Sequence, residues 1–463
     1  MTYSPNLQNR IVFLGNFTKT DFFRLVASQM DRRRTRVSWI VVNAQQRDIL
    51  LQDYPVEDVL YLPLSTPETR TPYPVKINDL VFADRRLKHI MPKGLRYLRA
   101  IQAPIVDFLE GAVPTLVVGE LTYSYEVLTF RLIQQVLPKA RWVSPFLTRV
   151  PAGHFAFFAD EAFSREVYLA PSDLPEANLG GEDDVDYREM NRKHIAHQGS
   201  TGFYAEKVGT FLSLKNYDPE DPTWKSNTRL DKIKKNLAWM ANRLSYRRVP
   251  KSGIEAIDAC KGNSVIFPLH LQPELNIDTC GRYWDNQAET ILKIWRQLGP
   301  DDKLFIKEHP VAIGNRGAGW YRRLLAYPNL ELLHHAAPVD KILRKIDYVF
   351  TISGTMGLEA ALMGGKVLCL APTTYDRLEN VVSPTISDLR GAQDISTLYA
   401  NLQADKKDGW TQQEYAEHLE QHAFIGDPEG DHIANPGSWQ PHNIGLVKQA
   451  FEHVLAQLET TTS

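Results

Sequence analysis

Asp347–Leu370 reads DYVFTISGTMGLEAALMGGKVLCL, and the rest of the chain is read outward from it. Tyr348 to Ile352 is an apolar run rich in β-branched and aromatic residues, the composition of a strand buried on both faces. Ser353, Gly354 and Thr355 follow as small residues at a strand-to-helix turn. Met356 to Met363 is rich in Ala, Leu and Glu and predicts a helix, which Gly364 and Gly365 stop before a second strand, Val367 to Leu370. Such a turn leaves backbone N–H groups at a helix N-terminus beside two hydroxyls, which suits an anion such as phosphate. Glu359 lies one helical turn beyond Thr355, on roughly the same face, where a carboxylate suits a ribose diol. By itself the stretch is equally readable as a plain βαβ crossover with a capped helix.

The preceding strands sharpen it. Ser264 to Pro268 predicts a strand whose exit carries His270, Gln272, Pro273, Glu274, Asn276 and Asp278. Lys303 to Ile306 predicts another, delivering Lys307, Glu308, His309 and Pro310. In a parallel sheet such exits share one edge, so HLQPE, KEHP and SGT are expected to converge on one cleft. Lys307 could neutralise a phosphate that the Ser353–Thr355 turn holds. His309 could bond a phosphate or sugar oxygen or act as an acid, with Pro310 fixing its aim. A purely structural histidine is the other reading.

The N-terminal half has the same rhythm. Ile11–Leu14, Val37–Val42, Val59–Leu62 and Thr115–Val118 are predicted strands separated by helices, which argues for a parallel sheet covered on its faces. The Gly15 turn lacks the remainder of a dinucleotide fingerprint. Leu95–Leu109 is expected to be one helix. Thr115–Val118 delivers Glu120, either a site residue or the cap of a helix over Tyr123–Val136. Trp142 and Val143 form a short strand, then a loop, Ser144 to His154, holds Arg149. Asp184-Val-Asp186 sits in an acidic loop and reads as a solvated charge run, so no metal is expected. Helices are expected over Asn191–Leu214, Thr228–Arg247 and Asn443–Leu458, and an irregular cover over Phe424–Trp439. The expected domains are 1–250, with a helical extension at about 171–250; 251–440; and a C-terminal helix, 441–463, that packs back on the first.

Composition bounds the rest. The chain has 463 residues, 43% hydrophobic and 23% charged, with a net charge of −2 and a mean hydropathy of −0.32. No apolar run approaches the ~20 residues of a spanning helix, and MTYSPNLQNR leads into IVFLG without a signal-peptide core. Three cysteines without metal-ligand spacing fit a reducing compartment, so a cytoplasmic protein is expected. Nothing in the net charge points to nucleic acid. Basic stretches at Asp31–Arg36, Arg85–Arg99 and Lys232–Arg248 are either solvated helix faces or contacts to an anionic acceptor or to the inner face of an anionic membrane.

HLQPE at 270–274, KEHP at 307–310 and TISGTMGLEAALMGGKV at 351–367 resemble, in that order, the capsule polysaccharide biosynthesis superfamily, which includes retaining Kdo transferases. The chain is more distantly similar to CDP-glycerol glycerophosphotransferases. VVGELTYSYE around Glu120 and TRVP at Thr148–Pro151 resemble surface carbohydrate biosynthesis members. The resemblance implies a glycosyltransferase-B-like α/β architecture, two Rossmann-like parallel-sheet domains facing a cleft, without a bound metal or other cofactor. It implies transfer of a sugar from a nucleotide-activated donor, CMP-Kdo being one, to a saccharide or lipid-linked acceptor of surface polysaccharide or glycolipid. Ser353, Gly354 and Thr355 would then bind phosphate and Glu359 ribose. Lys307 and His309 would sit at the leaving group, with His270, Gln272, Pro273 and Glu274 on the same wall. Glu120 would reach the acceptor or the reacting carbon. Glu120, Glu274 and Asp278 are the carboxylates open to a nucleophilic role, and Arg149 is a further cleft candidate. Transfer of a polyol phosphate from a CDP donor, and a non-catalytic binding role in polysaccharide export, are the alternatives.

Overall fold

The structure, a computed structural model, describes residues 9–171, 218–223, 229–431 and 435–462. The acidic Asp184–Asp186 run and the expected helix over 191–214 lie outside the described residues. The chain divides into two compact units. The first comprises 1–190, 215–227 and 416–463; the second comprises 191–214 and 228–415.

The first unit is built on β1 (Asn9–Leu14), β2 (Thr35–Val41), β3 (Val59–Tyr61), β4 (Leu116–Val118), β5 (Trp142–Leu147), β6 (His154–Phe158), β7 (Glu166–Val167) and the late β14 (Phe424–Ile425). Their order is β14-β6-β5-β4-β1-β2-β3, with β7 beside β6. β1 to β5 pair in parallel. β6 pairs antiparallel to β5, β7 and β14. This corrects the loop expected at Ser144–His154. β5 continues to Leu147 and returns as β6, with Pro145 opposite Phe157. Prolines are depleted in strand interiors, and Pro145 hid the strand. The helix expected over Leu95–Leu109 is two, Met91–Ala100 and Gln102–Ala112. Pro104 in the second has no N–H to give the preceding turn.

The helix Pro441–Thr462 belongs to this unit. Its Phe451 is fully buried, with ring centroids 5.7 Å from Phe13, 6.0 Å from Phe23 and 5.3 Å from Phe157. Residues 416–440 also belong here, where the sequence suggested the second domain. The physical reason is β14, which adds its backbone hydrogen bonds to β6.

The second unit carries β8 (Ser264–Pro268), β9 (Lys303–Lys307), β10 (Leu330–Leu333), β11 (Tyr348–Thr351), β12 (Lys366–Cys369) and β13 (Val381–Val382). The sheet is parallel throughout, in the order β10-β9-β8-β11-β12-β13. Its strands are nearly continuous apolar runs because both faces are covered: Val265, Phe267, Leu304 and Ile306 on one face and Ile266, Phe305 and Val367 on the other are all fully buried. The helix Arg229–Tyr246 belongs to this unit and not to an extension of the first. Tyr246 is 2% exposed within the second core, and Asn242 Nδ2 donates to the Gly314 carbonyl at 3.1 Å. Among the described residues no helix is long and apolar enough to cross a membrane.

Candidate functional site

β9, β8 and β11 are neighbours, so the exits bearing KEHP, HLQPE and SGT lie side by side at the carboxyl edge of the second sheet. Burial and hydrogen bonds then give each residue a different task.

The turn after β11 is held from three directions. Gly354 N–H donates to Thr351 Oγ1 at 3.0 Å. The Gly354 carbonyl accepts from the buried Tyr375 hydroxyl at 2.9 Å. Ser353 Oγ donates to the Asn276 carbonyl at 2.8 Å. Gly354 is the N-cap of helix Thr355–Leu362 and supplies no side-chain cap. The helix therefore opens on Thr355, an exposed residue, with its first N–H groups not met by a side chain from the cap. Ser353 is a brace whose proton is committed, and Thr355 is the hydroxyl presented at the helix start. Glu359 is half-buried on the same helix.

His270 is the floor of that turn. It is 7% exposed, and its Nε2 accepts the Ile352 N–H at 3.3 Å. A Cβ on Gly354 would come within 2.9 Å of its Cε1, which explains the glycine. Burial, then Arg316 and His309, push its pKa down to about 3, so the ring is neutral. Gln287 clamps the backbone of His270 at 2.8 and 3.0 Å and donates to Gln272 Oε1 at 2.7 Å. Gln272 in turn donates to the Asp285 carbonyl at 3.0 Å. His270 and Gln272 thus shape the site from beneath. Pro273 is exposed and Glu274 half-buried. Asp278 is 7% exposed, and its Oδ2 accepts the Glu274 N–H at 3.0 Å, a capping contact that commits one carboxylate oxygen.

At β9 the KEHP residues separate. His309 Nδ1 accepts the Val311 N–H at 3.3 Å, which puts the ring proton on Nε2. Burial, then Lys307 and Arg316, lower its pKa to about 4. It is a neutral imidazole with a fixed tautomer and a donor at Nε2. Lys307 Nζ turns toward the β10 exit and donates to the His335 carbonyl at 2.9 Å. Burial lowers its pKa, with Glu308 opposing.

Glu308 and Arg316 were not singled out from the sequence. The Glu308 side chain is 0% exposed against Arg316, and its oxygens accept from Arg316 Nη1 at 2.8 and 2.9 Å. It also accepts the His309 N–H at 2.8 Å and the Tyr321 hydroxyl. Arg316 Nη2 donates to the His270 carbonyl at 2.7 Å, so one guanidinium joins two strand exits. No periodicity links Glu308 to Arg316; only a Glu before His-Pro hinted at it.

The first unit has its own cluster at the exit of β4. Glu126, not Glu120, caps the helix Ser124–Val136: its carboxylate accepts the N–H groups of Glu120 at 3.3 Å and of Thr122 and Tyr123 at 2.9 Å. Burial, then Glu120, raise the Glu126 pKa to about 8. Glu120 is thereby left to pair with Lys19 Nζ at 2.7 Å and to accept from Asn16 Nδ2 at 3.3 Å, with 22% of its side chain exposed. Burial disfavours the Lys19 charge, but Glu120 and then Glu429 outweigh it and raise its pKa. Burial raises the Glu429 pKa, opposed by Lys19 and Arg149. Arg149, in the β5–β6 turn, and Glu429, on the segment expected to be only a cover, therefore both act on this cluster. Lys19 and Glu429 were missed because their partners are distant in sequence, and Glu126 because either of two nearby acids could cap the helix.

The basic stretches have internal uses. Arg36 pairs with Asp58 at 2.9 Å. Arg86 is buried and donates to the Pro219 carbonyl at 3.1 Å. Arg99 pairs with Glu68 at 3.0 Å. Among the described residues no group of three His, Cys, Asp or Glu is placed to hold a metal ion.

Comparison with solved structures gives distant likenesses. The beta Kdo 2,7 transferase of Thermosulfurimonas dismutans KpsC is 10% identical, covering 86% of this chain and 89% of that one, with a TM-score of 0.33. The beta Kdo 2,4 transferase of the same protein is 12% identical over 73% of this chain and 87% of that one, also at 0.33. UDP-GlcNAc 2-epimerase of Methanocaldococcus jannaschii in complex with UDP-GlcNAc and UDP is 9% identical over 89% and 98%, at 0.27. No curated protein matches the chain. A family model does: residues 222–378, which span β8 to β11 and the SGT turn, match the family described as capsule polysaccharide biosynthesis protein. Over residues 222–378, the region that carries HLQPE, KEHP and SGT, the chain is similar to the capsule polysaccharide biosynthesis family.

Proposed function

We propose that the protein is a glycosyltransferase of capsule polysaccharide synthesis whose second unit holds a nucleotide-activated sugar. The observation that carries this reading is the presence of two donors at the exits of β9 and β11, the strands that flank β8. These are the helix N-terminus at Thr355 and the Nε2–H of His309, whose tautomer is fixed by Val311. A leaving phosphate develops negative charge, and preorganised N–H donors stabilise it without reorganisation. A neutral histidine donates to that phosphate without adding a buried charge. Glu359, on the helix that begins at Thr355, takes the ribose hydroxyls. Ser353, Gly354, His270, Gln272, Arg316 and Glu308 keep the edge rigid, and Lys307 serves the adjoining β10 side.

The anomeric carbon becomes cationic during transfer, and a carboxylate suits it. Glu120 is the first unit's candidate, because Glu126 relieves it of capping and Lys19 pairs with it. The architecture in this reading is of the glycosyltransferase-B type, the acceptor is a saccharide or lipid-linked saccharide, and CMP-Kdo is the first donor to try. No metal or other cofactor takes part in this reading.

The test is nucleotide release from a panel of donors, CMP-Kdo included, in the presence of capsule oligosaccharide or glycolipid acceptors. The reading predicts release of one nucleotide with a sugar gained by the acceptor, and a loss of about 10²- to 10³-fold in His309→Ala. Appearance of phosphate in the product would assign polyol-phosphate transfer instead. No binding and no turnover of any nucleotide sugar would end the proposal.

A further inference from the structure

We propose a second anion site, independent of the donor reading, at the outer edge of the same sheet: Arg243, Lys251, Lys307 and His335 form a seat for a phosphate group between helix Arg229–Tyr246 and the exit of β10. β10 is the edge strand, three places from β11. At about 4.8 Å per strand the seat lies roughly 14 Å from the Thr355 turn, too far to serve the same phosphate.

Backbone pairing brings the residues together. Ser252 N–H donates to the Leu332 carbonyl at 2.8 Å and His334 N–H to the Ser252 carbonyl at 2.9 Å, which sets Lys251 beside the β10 exit. Lys251 Nζ sits 4.3 Å from the Tyr246 ring centroid, and the His335 ring lies 5.7 Å from the same ring. Lys307 Nζ reaches the His335 carbonyl at 2.9 Å. Arg243 is one helical turn before Tyr246, with its guanidinium 5.1 Å over Trp239.

Two polar atoms here are shielded from water without a partner: Arg243 Nη1 and His335 Nδ1. Unpaired buried donors of this kind cost free energy unless a ligand meets them. Donor capacity is also spare on the lysines. Lys251 gives two of its three protons to the carbonyls of Tyr246 and Val249, each at 2.8 Å. Lys307 gives one to His335.

Charge points the same way. Among the described residues none of Arg243, Lys251 and Lys307 is in an ion pair with a carboxylate, and the acid acting on Lys307, Glu308, is held by Arg316 and Tyr321. Burial, then His334, Lys251, Lys307 and Arg243, lower the His335 pKa to about 4. A cluster of cations that suppresses its own histidine is completed by an anion. A phosphate accepts from all four side chains at once, with neutral His335 donating through Nδ1. The same helix exposes Leu237, Met240 and Leu244 at helical spacing, so the phosphate's carrier is either a soluble molecule or a lipid.

The test uses the full chain. Inorganic phosphate is titrated calorimetrically with saturating CMP present, and vesicles of phosphatidylcholine with and without phosphatidylglycerol are co-sedimented in parallel. The proposal predicts that CMP leaves this binding intact and that Arg243→Gln and Lys251→Met each weaken it about tenfold or more. Thermal melting without ligand checks that each variant is folded. Variant-sensitive binding of phosphate identifies a soluble carrier, and variant-sensitive binding of the phosphatidylglycerol vesicles alone a lipid one. Wild-type affinity in either folded variant, no binding of either probe, or complete displacement by CMP would overturn it. Failure of nucleotide binding at Thr355 would leave these results untouched, so the two proposals fail separately.

Discussion

Glu308 has no solvent contact, and it accepts from Arg316 Nη1, the His309 N–H and the Tyr321 hydroxyl. Arg316→Ala removes the cation and leaves a carboxylate buried, a change that costs about 3–5 kcal/mol. The expected outcome is a large fall in the thermal midpoint of the second unit, not a mild one. Arg316→Lys is expected to recover little, since an ammonium lacks the planar fork whose two nitrogens reach Glu308 and the His270 carbonyl separately. The two histidines beside it set a pH dependence. His270 and His309 are held neutral in the folded chain, with pKa values near 3 and 4 against about 6.5 when unfolded. Below about pH 6.5 the unfolded chain takes up protons that the folded chain refuses. Stability is therefore complete above that pH and falls as pH drops toward 4, by up to about 1.4 kcal/mol per pH unit for each histidine. Denaturant melts between pH 7.5 and 4.5 check this, and His270→Gln should make the slope shallower. The sequence made Lys307 and His309 legible because KEHP falls at a strand exit. It hid that Lys307 and His309 go to different places, because their directions are set by Val311 and His335, which no pattern ties to them.

The turn Ser353–Thr355 works as an element because its neighbours leave no slack. Gly354→Ala puts a Cβ 2.9 Å from His270 Cε1 and 3.1 Å from Thr351 Oγ1. Both neighbours are braced, so the helix start must move, and nucleotide affinity is expected to fall at least tenfold while the chain stays folded. Gly357→Ala meets Thr351 Cγ2 at 2.6 Å and the Tyr375 hydroxyl at 2.7 Å, and should act in the same direction. Calorimetric titration of the nucleotide measures both. The strand, turn and helix here were readable to within a residue, since burial on both faces and two closing glycines leave few alternatives. The β5–β6 return was not readable, because Pro145 breaks the strand signature and its pairing is set by tertiary neighbours. Glu120 shows the same limit: only the hydrogen bonds of Glu126 reveal which of two acids caps the helix.

On the scale of the molecule the two units are interleaved along the chain, and the C-terminal segment completes the first. Phe451→Ala leaves a hole among Phe13, Phe23 and Phe157 and is expected to cost about 3–5 kcal/mol. A chain ended before Pro441 uncovers the same core and should not give a folded first unit, as limited proteolysis would show. Two α/β halves and the packing of the C-terminal helix on the first were legible from the pattern of strands and helices; the return of 416–440 was not, because β14 is two residues long and pairs with a strand far from it in sequence. The central claim is that the Thr355 helix start and His309 Nε2 together hold the phosphate of an activated sugar. The most direct measurement is a crystal structure of the full chain with CMP or a nucleotide sugar bound. The account predicts a phosphate oxygen within hydrogen-bond distance of both the Thr355 N–H and His309 Nε2, with the ribose toward Glu359. A nucleotide bound with its phosphate away from both groups would contradict it.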